Sequence, residues 1–99
     1  MKMLKEKLEH LEEEIEGARE YAEKFIKCKS GGNMARANRF KEMAQDELKH
    51  ATYLRDMDLV DVADLKKVYN MTEEEESMWE HGQKHLTDQI AMVMHILSM

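Results

Sequence analysis

Leu4, Leu8, Leu11, Ile15, Ala18, Ala22 and Phe25 recur at alternating intervals of four and three residues. That spacing holds one apolar seam on one side of an α-helix for about six turns. It does not suit a β-strand, whose side chains alternate with a period of two. No proline occurs anywhere in the 99 residues, so nothing forces a kink in such helices. The seam predicts a first helix over residues 2–29, closed by Ser30-Gly31-Gly32-Asn33, the one strong break in the chain. A second helix is expected over 34–58. The pattern Asp61, Asp64, Leu65, Val68 and Tyr69 then suggests a separate short helix over 61–69, leading to a turn at Asn70-Met71. Thr72 followed by Glu75 reads as a capping box, with Glu73 to Glu76 at the positive end of the helix dipole. The third long helix, 72–97, puts Trp79, Leu86, Ile90, Val93 and Leu97 on one face. The expectation is an all-α fold in one domain spanning 1–99, with an antiparallel helix hairpin plus a third long helix.

Charge narrows the partners. Charged residues make up 36% of the chain, the formal net charge is −6 and the pI is about 5.4. This disfavours nucleic acid or an anionic membrane as the main partner and is compatible with cations. The apolar run from Ile90 to Met99 is too short to span a bilayer. No apolar signal core follows the N-terminal lysines. A lone cysteine, Cys28, excludes an intramolecular disulfide and fits a reducing compartment, so the expected location is the cytoplasm.

One residue breaks the apolar pattern. The chain holds a single Glu-x-x-His pair, Glu47-Leu48-Lys49-His50. Glu47 projects within about 10–20° of the middle of the stripe formed by Phe40, Met43, Ala44, Ala51 and Leu54, with His50 on its flank. A carboxylate aimed into a helical core costs several kcal/mol unless it is paired, hydrogen-bonded or bound to metal. Five helix-one glutamates could face it: Glu12, Glu13, Glu14, Glu16 and Glu20. Glu13, Glu16 and Glu20 project more than about 100° from the seam, whereas Glu12 and Glu14 lie at its edge. Glu14 shares a row with Ala18, Tyr21 and Phe25, so Glu14 is expected to point inward, with the Tyr21 hydroxyl near the same carboxylates. The competing reading is a hydrogen-bonded Glu47/His50 pair, or Glu47 meeting a helix-one lysine. His81 and His85 are four apart but project opposite the apolar stripe, which suits an exposed pair. Gln83 and Glu76 fall on the apolar side of helix three, where they could enter a polar network. The ten methionines suit core filling.

Glu from one helix and Glu-x-x-His from its neighbour form half of the ligand set of carboxylate-bridged two-metal bundles. The i, i+3 spacing lets both side chains of the pair reach one ion, and oxygen-rich ligation suits iron or manganese. Glu13-Glu14-Ile15-Glu16-Gly17-Ala18-Arg19-Glu20-Tyr21, followed by Glu47-Leu48-Lys49-His50-Ala51, resembles the first helix pair of ferritin-like di-iron proteins. As in rubrerythrins, a glutamate precedes a tyrosine by seven positions (Glu14 to Tyr21), and a Glu-x-x-His follows further on. The Glu-Glu-x-Glu…Tyr pattern is also similar to that of the encapsulated ferritins. The resemblance covers roughly residues 8–57. It implies a ferritin-like bundle with Glu14, Glu47 and His50 as ligands of a di-iron (or di-manganese) centre. Tyr21 would sit beside the centre, orienting a carboxylate or serving as a nearby redox group, and Glu13 and Glu16 would match a metal-entry site. The implied activity is oxidation of Fe(II) by O2 or peroxide, and the implied partner is an encapsulating shell protein.

The chain has no second Glu-x-x-His. Half a site implies a four-helix bundle completed by dimerisation, in which a homodimer or higher homo-oligomer brings two copies of Glu14, Glu47 and His50 together. The helix over 90–99 is apolar nearly all round, which also demands burial by a partner. The alternative from another class is a metal-free helical oligomerisation or adaptor module with a vestigial site.

Overall fold

A computed structural model describes residues 1–99 as three α-helices without strands: α1 (Lys2–Ser30), α2 (Met34–Lys66) and α3 (Glu73–Leu97). The heptad seam of α1 is its inner face. Leu4, Leu11, Ile15, Ala18, Ala22 and Phe25 are all buried, and Leu8 is half-buried. The helix stops where its last carbonyls find donors outside it. Gly31 N–H bonds Lys27 O at 3.0 Å and Asn33 N–H bonds Cys28 O at 2.9 Å. Gly32 sits at φ +79°, a conformation that costs a side-chain-bearing residue energy. Asn33 then caps α2, its side chain accepting from Arg36 N–H at 3.1 Å.

The second helix corrects the boundary expected from sequence. It runs unbroken through Leu59 and Val60 to Lys66, so no separate helix over 61–69 exists, and Val68 and Tyr69 lie in the following turn. Residues 59–66 contain no glycine or proline, and tertiary contacts hold them in helix. Val62 is buried with Leu4 and Trp79, and the buried Asp58 is tied to Lys7 at 3.2 Å. Met43, placed on the inner side by projection, is instead 41% exposed.

Cross-contacts fix the direction of packing. Lys7 meets Asp58 and Asp61, and the Tyr21 ring stacks on Phe40 with centroids 6.3 Å apart. Early residues of α1 therefore face late residues of α2, so the two helices run antiparallel. The third helix begins at a complete capping box, with Thr72 and Glu75 satisfying each other's backbone donors. It packs mainly on α1, burying Trp79, Leu86, Val93 and Leu97, with Ile90 half-buried. At Gly82 the approach is so close that an added Cβ would sit 2.6 Å from Leu8 Cδ1. An Arg55–Thr87 hydrogen bond of 3.3 Å links α2 to α3.

The result is a rod of 54 × 18 × 18 Å, only about two helix diameters across. Along it, α2 and α3 flank an open cleft of about 450 Å³ whose apolar walls are Leu48, Ile90, Met94 and Leu97. Met92 and Met94 remain exposed near the end of α3. No helix is long and apolar enough to cross a membrane.

Candidate metal centre

Glu47 stands on the inner face of α2 among the buried Ala44, Leu48 and Ala51. The room it occupies comes from α1, where Gly17 has no side chain. A Cβ there would lie 3.6 Å from Glu47 Oε2. Across the helix pair its neighbour is Glu14, likewise half-buried. A hydrogen bond to Glu14, then burial, then the Glu14 charge together hold the Glu47 carboxyl above its usual pKa. The His50 charge opposes this and that of Asp46 adds to it. Two carboxylates can share a hydrogen bond only if one keeps a proton. His50, exposed and one turn further along α2, completes the cluster. One donor atom from each of Glu14, Glu47 and His50 lies within 4.8 Å of the others.

The other residues singled out by sequence fall outside this cluster. Tyr21 is half-buried against Phe40, with Lys24 Nζ 5.8 Å from its ring centre, and its hydroxyl makes no hydrogen bond to Glu14 or Glu47. Glu13 and Glu16 are exposed, lining a shallow acidic depression on the outer side of α1 with Glu9, Glu12 and Glu20. Glu16 also approaches Arg19 at 3.8 Å. His81 and His85 are exposed, and His81 Nδ1 lies 3.4 Å from Ser77 Oγ. Glu76 pairs with Lys66 at 3.7 Å, while Gln83 Nε2 is buried without a partner.

One neighbour escaped the sequence reading. His10 Nε2 lies 3.9 Å from Glu14 Oε1, one turn earlier on α1. The signal was present as the i, i+4 pair His10 and Glu14, but it carries weight only once Glu14 is known to face Glu47.

Two carboxylates and an imidazole offer O, O and N donors, a set that suits iron, manganese or zinc. A divalent cation between Glu14 and Glu47 would replace the proton that otherwise keeps them together, so the residues fit such an ion. No family model, curated protein or solved structure matches this chain.

Proposed function

We propose that this chain is a ferritin-like metal-binding subunit with Glu14, Glu47 and His50 as ligands, and that its substrate is ferrous iron. A second copy, packed so that two such clusters meet, completes a four-helix bundle and a two-metal carboxylate centre, for iron or manganese. The observation that carries this reading is the convergence of two half-buried carboxylates and an imidazole within 4.8 Å in the middle of an apolar helix seam. Such a cluster costs stability when metal-free, and a cation removes that cost.

Anionic ligands offset the added charge of the ferric state and so favour oxidation. Two ferrous ions each give up one electron, and dioxygen takes both with two protons to leave hydrogen peroxide. Tyr21 enters as a neighbouring redox-active ring and not as a ligand. Glu13 and Glu16, in the acidic depression, would concentrate cations on the outer surface. The location we propose is the cytoplasm, and a shell protein is the candidate further partner.

Anaerobic loading with Fe(II) followed by air tests the reading. About one iron per chain, oxidised on exposure to oxygen and abolished by Glu47→Ala, is expected. No bound iron or manganese, with thermal stability unchanged by either ion, would overturn it in favour of a metal-free oligomerisation module.

A further inference from the structure

We infer that His10 is a fourth metal ligand, so that a single chain holds one divalent transition-metal ion between two carboxylates (Glu14, Glu47) and two imidazoles (His10, His50). This rests on the reading of Glu14, Glu47 and His50 as ligands. It goes further by giving the ion of each chain a second nitrogen donor from that same chain, so that two paired chains bring together two such ions.

The register of the helix pair places the second imidazole. His10 precedes Glu14 by one turn on α1, and His50 follows Glu47 by one turn on α2. Because the helices run antiparallel, stepping from Glu14 back to His10 and from Glu47 forward to His50 moves the same way along the rod. Both imidazoles therefore flank the carboxylate pair at the same end. His10 Nε2 is 3.9 Å from Glu14 Oε1, beyond hydrogen-bonding reach. Two donors each about 2.1 Å from a tetrahedral ion stand about 3.4 Å apart. The donors already within 4.8 Å of one another are those of Glu14, Glu47 and His50, and His10 joins them by turning its side chain about its own bonds. Its side chain is 58% exposed and free to make that rotation. Glu14 has two oxygens, enough to face Glu47 and still share an ion with His10. An N2O2 set of this kind is the donor combination that zinc, cobalt, iron and manganese accept.

Cobalt(II) is the probe, titrated anaerobically into the full chain against a competing chelator and followed by proton NMR. Wild-type protein is expected to show two distinct paramagnetically shifted imidazole N–H resonances. His10→Ala should remove one and His50→Ala the other, and His10→Ala should weaken cobalt binding by at least about 10–100-fold. His10→Gln keeps a hydrogen-bond donor for Glu14 without a coordinating ring nitrogen, and should bind as poorly as His10→Ala. The exposed position leaves the fold unaffected, which far-UV circular dichroism verifies. Wild-type affinity in His10→Ala, a single shifted resonance in wild type, or rescue by His10→Gln would each overturn the ligand role while leaving the three-residue centre standing. Absence of cobalt binding to wild type would overturn both.

Discussion

A carboxylate facing another carboxylate inside a helix seam is stable only while a proton or a cation lies between them. Glu47 is held above its ordinary pKa of 4.5, first by its hydrogen bond to Glu14 and then by burial. The native protein therefore keeps a proton there that the unfolded chain releases. By linkage, this contribution is fully present below pH 4.5 and is lost as pH rises through the elevated native value. Melting curves in chelator should show Glu47→Gln gaining on wild type as pH rises from about 4.5 to 7. At neutral pH the gain should be about 1 kcal/mol, the repulsion of two unit charges ~4 Å apart in a water-like medium. For a chain of this size that is about 4–8 °C in Tm. Added manganese should reverse the order, stabilising wild type and leaving Glu47→Gln unmoved. A flat difference between the two proteins across this pH range would remove the shared proton from the account.

The helices themselves depend on a few polar contacts at their ends and crossings. Glu75 accepts from Thr72 N–H at 3.0 Å, bonds the Tyr69 hydroxyl at 3.2 Å and lies 3.4 Å from the Met1 ammonium. One capping box thus ties the start of α3 to the start of α1. Thr72→Ala should cost about 1 kcal/mol, read by urea denaturation. Near the same end of the rod, Lys7 bridges the buried Asp58 and the exposed Asp61 at 3.2 and 3.1 Å. Burial alone would lower the Lys7 pKa, but its bonds to Asp61 and Asp58 outweigh this and raise it. Lys7→Met leaves Asp58 without its partner and should cost about 2 kcal/mol, well above the cost of Asp61→Asn. These links carry α2 beyond the end that its own periodicity predicts. The pattern after Asp58 looks like a new short element because its apolar periodicity weakens, yet Asp58 and Val62 are held by Lys7, Leu4 and Trp79 from the other helices.

The whole chain is too thin to bury what it carries. Only 16 of 99 residues are buried, and the radius of gyration is 16.1 Å, against about 13 Å for a compact chain of this length. Tyr53, Met57 and Val60 on α2 and Met92 and Met94 on α3 are each half or more exposed. Exposed apolar side chains in this number fit the proposed pairing, in which a second copy would supply both cover and ligands. Sedimentation should give twice the chain mass of 11.7 kDa or a multiple of it. Met94→Glu, placing a charge on the 59%-exposed wall of the α2/α3 cleft, should weaken association by at least about tenfold, or 1.4 kcal/mol. If the association completes the centre, iron loading should fall with it. A monomer that loads iron fully would separate the two.

Local periodicity by itself determined the helical class, the seam of α1, the break at Gly31-Gly32, the capping box at Thr72 and the misfit of Glu47, because each is encoded within a few turns of one helix. Azimuth around an axis tells which side a residue faces but not what it meets. Glu12 and Glu14 both project to the edge of the seam; the row through Ala18, Tyr21 and Phe25 favours Glu14, but its contact with Glu47 is made only by the packing of α1 on α2. The same packing carried α2 past Asp58, turned Met43 outward and set the intrahelical His10–Glu14 pair against Glu47. Those outcomes depend on the register between helices, which is set by contacts among residues far apart in the chain.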